Sequence, residues 1–319
     1  MSMQCSKINK ITYLLKNRLV FTWVKRKFKN SHYYENLKQE NYEKEIKEWF
    51  HYTTGQKLSL DNPKTYNEKI QWLKLYDSTP LKTQLSDKYR VREWVKEKIG
   101  EEYLIPLLGA WDHFDEIDFD TLPDKFVLKA NHGCGWNIIV TDKASFNREE
   151  AKAKFDVWMN TNFAYSIGLE LQYMNIEPKI IAEEYIENFD EDIADYKVFC
   201  FDGKADSIMM LTERKKGLKM SFYDLEWKQL EFTYSYPRNK ELMPKPENLE
   251  QLISLAESLA EGLAHVRVDF YIMNDGQIKF GEMTFTSGSG TCEWNPPEQN
   301  LIYGEKIKLP DKKPFPQKI

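Results

Sequence analysis

The chain has 319 residues, 41% of them hydrophobic and 30% charged, enough for a substantial core and two or three subdomains. Its net charge of −5 is uneven: residues 1–30 hold eight basic side chains and no acid, which leaves −13 on the remainder and argues against a nucleic-acid partner. No stretch approaches the ~18–20 apolar residues of a membrane span. Four distant cysteines (Cys5, Cys134, Cys200, Cys292) without a Cys-x-x-Cys argue against a disulfide framework or a zinc site, and cytoplasmic residence is the expectation.

In chain order, residues 1–30 are a basic amphipathic segment. Ile11, Leu14, Leu15 and Leu19 are mixed there with basic side chains, which suits a helix resting on anionic lipid or one packed on the protein. Residues 31–78 read as helices, with a turn at Asn62-Pro63. Ser86 as N-cap, Val91, Val95 and Ile99 in steps of four, and Gly100 at C′ predict a helix over Asp87–Ile99. A loop-rich stretch runs to Leu122-Pro123. The strand Phe126–Lys129 then enters Asn131-His-Gly-Cys-Gly-Trp-Asn137, and Ile138–Val140 resumes a strand. A helix near Arg148–Asn160 and a strand over Lys179–Ile186 follow. Asp195–Phe201 and Lys204–Met210 form a hairpin about Asp202-Gly203, and Lys215–Lys219 read as a basic loop. Leu249, Leu252, Leu255 and Leu259 line one side of a helix from Glu247 to Glu261. Strands and helices mix without a βαβ repeat, so the fold class is α+β.

The last hairpin carries the densest chemistry. With Asp275-Gly276 as a two-residue loop, Asp269 falls opposite Glu282, and Arg267 opposite Thr284. Val266, Val268, Phe270, Ile272, Met283 and Phe285 share the other, apolar face. Two opposed carboxylates need a cation. Arg267 supplies it in a salt bridge, or a divalent ion such as Mg²⁺ does.

Upstream, Lys129 stands beside a two-glycine loop, Gly133 to Gly135. The loop lacks the pattern of a Walker P-loop or a dinucleotide fingerprint. It is a plain hairpin turn, or a cradle of backbone N–H groups for an anion, with His132 and Asn137 as further donors. Glu183, Glu184, Tyr185 and Ile186 end a strand whose edge can serve an adenine and a ribose, or is simply solvated. Asp195 and Lys197 set an acid and a base on one strand face, where an ordinary ion pair is the alternative.

The order of these features resembles the ATP-grasp superfamily, and within it the TupA-like ATP-grasp family of polysaccharide and teichuronopeptide gene clusters. The resemblance rests on Leu85-Ser-Asp-Lys-Tyr-Arg-Val-Arg92, Phe126-Val-Leu-Lys-Ala-Asn-His-Gly133, Ile181-Ala-Glu-Glu-Tyr-Ile186, Asp195-Tyr-Lys-Val-Phe-Cys-Phe-Asp-Gly203, Arg267-Val-Asp269 and Phe280-Gly-Glu-Met-Thr-Phe-Thr286. It runs from about residue 60 to Pro310. It implies an ATP-grasp fold, two α+β subdomains gripping ATP. After the segment 1–30 would come a helical region 31–120, a lid subdomain 121–186 with the glycine loop, and a subdomain 187–319 with the metal site.

The resemblance also implies roles. Lys88 and Lys129 would contact phosphates, under a cover loop of Gly133 and Gly135 flanked by His132 and Asn137. Glu183, Glu184, Tyr185 and Ile186 would form the adenine hinge, with Glu187 or Asp195 on the ribose. Asp269 and Glu282 would hold Mg²⁺, with Thr284 where the family has an asparagine. Arg267, Lys129 and Lys197 would form the catalytic set, and the Ser287, Gly288, Ser289, Gly290 run would face substrate; Arg214, in a stretch without a signature, either reaches substrate or is surface charge. Cys134 stands where a serine is expected between the glycines, followed by Trp136.

The implied reaction activates a carboxylate with ATP as an acyl phosphate, which an amine then attacks. The natural partners are a small-molecule or lipid-linked saccharide bearing a uronic acid, and an amino acid as amine donor, in capsule or other cell-envelope polysaccharide synthesis. Residues 1–30 would give peripheral contact at the inner face of the membrane. Two alternatives stay open. One is a glycosyltransferase using Asp118-Phe-Asp120 or Asp190-Glu-Asp192; the other is an ATP-dependent sugar kinase.

Overall fold

The computed structural model describes residues 36–186, 195–213 and 217–316. The basic segment 1–30, Glu187, the Asp190-Glu-Asp192 run and Arg214 lie outside the described residues.

The first α-helices among the described residues are α1 (Tyr42–Thr54), α2 (Tyr66–Tyr76), α3 (Pro80–Ser86) and α4 (Val91–Lys98). A capping box starts α2: the Thr65 side chain accepts from Glu68 N, and Glu68 accepts from Thr65 N at 3.0 Å. The helix expected over Asp87–Ile99 is shorter. Thr79 caps a separate helix with Pro80 at its first position, and Ser86 ends that helix instead of starting the next. Asp87 then bends the chain, because its carboxylate accepts from Tyr89 N at 2.8 Å and Arg90 N at 3.2 Å. The resulting turn carries Lys88.

The longer strands form two antiparallel sheets. Strands β1 (Leu107–Trp111), β2 (Phe126–Ala130), β3 (Asn137–Val140) and β4 (Ile180–Glu184) form the first sheet in the order β1-β4-β2-β3. Strand β1 occupies the stretch expected to be loop. All five of its residues are half-buried, so it lacks the alternation that marks a strand. Helix α5 (Arg148–Met159) covers this sheet, with Phe155 against the cluster of Phe114, Phe126 and Ala182.

The second sheet contains β5 (Asp195–Phe201), β6 (Lys204–Thr212), β7 (Lys219–Tyr223), β9 (His265–Ile272) and β10 (Ile278–Thr284), ordered β10-β9-β5-β6-β7. Strand β7 starts at Lys219, the residue expected to close a basic loop. The two-residue strands β8 (Thr233–Tyr234) and β11 (Trp294–Asn295) pair with each other. Helix α6 (Leu249–Ala260) covers one face of the large sheet, with Leu252, Ala256 and Leu259 against Val198, Val268 and Phe270. Helices α2 and α7 (Glu298–Lys306) cover the other: Tyr66, Ile70 and Tyr303 pack with Phe199 and Phe222. The helical N-terminal part is therefore built into the core of the second sheet.

The β9–β10 hairpin has the expected pairing by a different route. Met273 N donates to Gln277 O at 2.8 Å, and Gly276 N to Met273 O at 2.9 Å, so the loop has three residues, Asn274-Asp275-Gly276, with Gly276 at φ +82°. A bulge between Phe280 and Glu282 shifts the register by one and cancels the extra loop residue. Asp269 still faces Glu282, and Thr284 faces Arg267. The bulge also moves Ile278 and Phe280 onto the apolar face, where the Phe280 and Phe270 rings meet at 6.2 Å.

Candidate active site

Three neighbouring strands set Lys197, Asp269 and Glu282 in one row across the second sheet, since Lys197 pairs with Asp269 and Asp269 with Glu282. Arg267 binds this row from the same face. Its Nε donates to Asp269 Oδ1 at 2.6 Å and its Nη2 to Asp269 Oδ2 at 2.7 Å, a two-pronged contact. Nη2 also reaches Glu282 Oε1 at 3.1 Å and Thr284 Oγ1 at 3.0 Å, and Nη1 reaches Ser287 Oγ at 3.1 Å. Lys197 lies between Asp269, to which it donates, and Asp195 Oδ2 at 2.7 Å. Asp195 is thus part of the charge cluster.

Burial works against charge here, and the partners decide the outcome. For Arg267 the desolvation cost is outweighed by Asp269 and then Glu282, so its guanidinium stays protonated. For Glu282 burial alone would raise the carboxyl. Lys88, Arg267 and Lys197 overcome it and hold the group at about 2.

Asp269, Glu282 and Thr284 offer only hard oxygen donors, which fits Mg²⁺. A carboxylate has about four acceptor sites. On Asp269, Oδ1 takes one bond from Arg267, while Oδ2 takes Arg267 and Lys197. Glu282 Oε2 faces Lys88 Nζ at 4.0 Å, beyond a hydrogen bond. Acceptor capacity therefore remains on Asp269 Oδ1 and Glu282 Oε2. Among the described residues no three His, Cys, Asp or Glu side chains group to hold an ion by themselves.

Beside this cluster, the first sheet and the Lys88 turn meet Phe280 and Gly281 of β10 at a narrow cleft lined by Lys88, Arg92, Ile105, Lys129, Glu183, Phe280 and Gly281. Lys129 on β2 donates to Glu183 Oε2 at 2.5 Å, and Arg92 Nη1 donates to Glu183 Oε1 at 3.2 Å. Lys88 Nζ donates to Gly133 O at 2.6 Å, so it touches the glycine loop while facing Glu282. The turn that carries Lys88 is pinned to this sheet: Lys88 N donates to Asn131 O at 3.1 Å, and Asn131 Nδ2 to Asp87 Oδ1 at 2.8 Å.

The other expected nucleotide residues spread out. Asn137 opens β3 opposite Lys129 and is exposed. His132 is buried and turned inward, with Nδ1 3.1 Å from Asn131 Oδ1 and Nε2 3.0 Å from Trp158 O. Both ring nitrogens face protein oxygens, so the ring offers nothing to a phosphate in this arrangement. Cys134 is exposed in the loop. Strand β4 is not an edge, as it pairs with β1 on one side and β2 on the other. Its ladders use the backbone through Glu184, whose N donates to Pro106 O at 3.0 Å. The Glu184 side chain is exposed, Tyr185 lies under Lys125 Nζ at 5.5 Å from the ring centroid, and Ile186 is buried. Asp118 and Asp120 are exposed in a turn, where Asp118 Oδ1 accepts from Asp120 N at 3.1 Å.

Ser287–Gly290 form a short helical turn after β10, beside Arg267. Tyr234 Oη donates to Ser287 O at 3.1 Å, and Gln71 Nε2 to Ser289 O at 2.9 Å and Gly290 O at 2.8 Å. Gln172 Nε2 donates to Thr286 Oγ1 at 3.2 Å. Glu170 is buried, and burial pushes its carboxyl up against the opposing pull of Lys74 and of the Thr286 and Ser289 hydroxyls. Burial, Glu170 and Glu282 likewise raise the Tyr173 phenol. The sequence carries no pattern that singles out Gln71, Lys74, Glu170 or Gln172, because each meets this turn across more than a hundred residues of chain.

A family model described as TupA-like ATPgrasp matches residues 68–308. The chain belongs to the TupA-like ATP-grasp family. No curated protein matches it. Similar solved structures include a D-alanine–D-alanine ligase from Bacillus anthracis, 15% identical, with 70% of this chain and 67% of that one covered and a TM-score of 0.41. An N5-carboxyaminoimidazole synthetase from Staphylococcus aureus is 13% identical over 63% of this chain and 44% of its own, with a TM-score of 0.36. The ATP-grasp ligase PsnB complexed with minimal precursor is 10% identical over 65% and 55%, with a TM-score of 0.37. The chain spans about half the length of the synthetase and of PsnB. As a TupA-like ATP-grasp chain, it places every motif from Lys88 to Glu282 inside the matched residues.

Proposed function

We propose that this TupA-like ATP-grasp protein is an ATP- and Mg²⁺-dependent carboxylate–amine ligase working through an acyl phosphate. The observation that carries the reading is Lys88, which faces Glu282 of the Arg267–Asp269–Glu282 cluster and lines with Lys129 a narrow cleft beside Phe280 and Gly281 of β10. In this reading the lid subdomain is 121–186, to whose sheet the helical region 31–120 contributes β1, and the metal-bearing subdomain is 187–319.

Lys88 and Lys129 hold the phosphates, Lys129 by leaving Glu183. Tyr185 and Ile186 follow β4 as the adenine hinge, with Glu184, Glu187 or Asp195 toward the ribose. Mg²⁺ held by Asp269 and Glu282, with the weaker donor Thr284, would neutralise phosphate charge during transfer. Arg267, anchored by Asp269, presents fixed positive charge to the group in transfer. Lys197 balances the two buried aspartates, so Asp269 keeps its place while Arg267 acts. Backbone N–H groups of Ser287, Gly288 and Gly290 stabilise the oxyanion when the amine attacks, Ser289 N being bonded to Thr286 O at 2.7 Å, and Arg214 serves the substrate side. The natural product is an amide between a saccharide uronic acid and an amino acid in cell-envelope polysaccharide synthesis. Residues 1–30 would bring the protein to lipid-linked acceptors at the membrane.

The test is incubation with ATP, Mg²⁺ and a panel of uronic acids and amino acids, with ADP and product followed by mass spectrometry. ADP release that needs both a carboxylate and an amine is expected. Glu282→Gln is expected to abolish it in a protein that stays folded but melts at a lower temperature, and parent-like turnover in that variant rejects the assignment. A thermal shift with nucleotide sugar in place of Mg·ATP would favour a glycosyltransferase instead.

A further inference from the structure

One buried charge belongs neither to the cluster nor to the glycine-loop side of the cleft. Lys74, on α2, is 1% exposed. Its Nζ donates to Ser289 Oγ at 2.7 Å, Ser289 O at 2.9 Å and Gly168 O at 3.2 Å, stands 3.4 Å from Ile167 O, and lies 4.4 Å from the centre of the Trp49 ring. Ser289 Oγ donates in turn to Ile167 O at 3.0 Å. Buried Glu170 opposes its charge.

Both segments that Lys74 grips are left-handed. Gly168 and Leu169 have φ +63° and +55°; Gly288, Ser289 and Gly290 have +56°, +53° and +64°. Leu169 and Ser289 carry side chains, and such residues stay in this region only when their surroundings hold them. The contacts are also close. A Cβ on Gly168 would meet the Trp49 ring at 2.3 Å, and one on Gly290 would meet Gln71 Nε2 at 2.4 Å. A buried ammonium is costly unless acceptors surround it, so a lysine is a poor choice for filling space. Here the acceptors are carbonyls of two turns far apart in sequence.

We propose that Lys74 is a positioning residue whose ammonium staples the Ile167–Leu169 turn to the Gly288–Gly290 turn, fixing the wall beside Arg267 and Ser287 on which the acceptor binds. The acceptor role of that wall rests on the ligase reading; the staple itself does not. Through Lys74 and Gln71, the helical N-terminal region becomes part of the acceptor side of the site.

Lys74→Met keeps the apolar stem and removes the ammonium. Hydrogen–deuterium exchange of the full chain is expected to quicken together in peptides covering 163–171 and 286–291, by roughly tenfold or more, since one charged hydrogen bond is lost from the first turn and two from the second. Peptides covering 126–140 and 265–272, and the thermal shift given by Mg·ATP, should stay as in the parent. Lys74→Met with Ser289→Gly should slow exchange again at 286–291 only, because glycine adopts the left-handed turn unaided. Unchanged exchange in either turn overturns the staple. Faster exchange throughout, with loss of the Mg·ATP shift, makes Lys74 a general fold residue and overturns it equally. Should Lys74→Met not fold, Ser289→Ala removes only the hydroxyl rung and decides by the same paired exchange. If Mg·ATP fails to shift the parent protein, the ligase reading falls, while the exchange result still decides the staple.

Discussion

Lys88 Nζ stands 4.0 Å from Glu282 Oε2 while donating to Gly133 O at 2.6 Å. One side chain thus reaches from the glycine loop of the first sheet to the carboxylate of the second. Lys88 is also the strongest of the cations that hold Glu282 down to about 2. A phosphate entering the cleft would meet this ammonium before the deeper Lys197.

Lys88→Met should therefore weaken Mg·ATP binding by about tenfold or more, since hydrogen bonds to charged groups are worth about 1.5–3 kcal/mol. Calorimetric titration measures it. A Kd equal to that of the parent would remove Lys88 from the nucleotide site.

Glu183→Gln probes the other cation pair. Glu183 is the shared partner of Lys129 and Arg92, and all three side chains are largely buried. Removing its charge leaves two cations uncompensated, which costs about 3–5 kcal/mol for a buried pair. Stability without nucleotide should fall, and the thermal shift on adding Mg·ATP should grow, because phosphates then supply the missing anion. Equal shifts in variant and parent would mean that Lys129 does not reach a phosphate.

Acid should destabilise the protein in two overlapping windows. Burial lowers His265 from 6.5 to about 3, with Tyr66 Oη 2.9 Å from its Nε2. Its unfolded form takes up a proton first, so stability falls as the pH drops from about 6.5 toward 3. Glu282, lowered from 4.5 to about 2, contributes stability above 4.5 that is lost as the pH falls toward 2. Melting temperature followed from pH 7 to 4 should slope downward, and His265→Gln should flatten the part between 6.5 and 4.5. An unchanged slope in that variant would show that His265 is not the group responsible.

Gly281→Ala tests the bulge. An added Cβ would lie 3.0 Å from Asp269 O and 3.2 Å from the Tyr271 ring. Overpacking of this kind costs about 1–3 kcal/mol. The urea midpoint should fall at constant slope, with weaker Mg·ATP binding because the bulge keeps Asp269 opposite Glu282. A loss under about 0.5 kcal/mol would show that the strand yields easily.

Local periodicity and motif order, read from the sequence, were enough to establish the α+β class and the family resemblance; the expected opposition of Asp269 and Glu282 held because the bulge cancels a loop residue the two-residue turn had left out. The spacing of Ile278, Phe280, Met283 and Phe285 even contains the bulge, because alternation slips by one residue between Phe280 and Met283. These features are legible because strand alternation and turn chemistry act over a few residues. Tertiary structure alone decided that Arg267 grips both carboxylates, that His132 turns inward, that β1 makes β4 an interior strand, and that Lys74 and Glu170 lie beside Ser289. Each of these depends on which distant segments share a buried, low-dielectric space, where an acceptor or an opposing charge must be found. The same physics answers the question posed by the last hairpin: the cation between its carboxylates is first Arg267, with acceptor capacity left on Asp269 and Glu282.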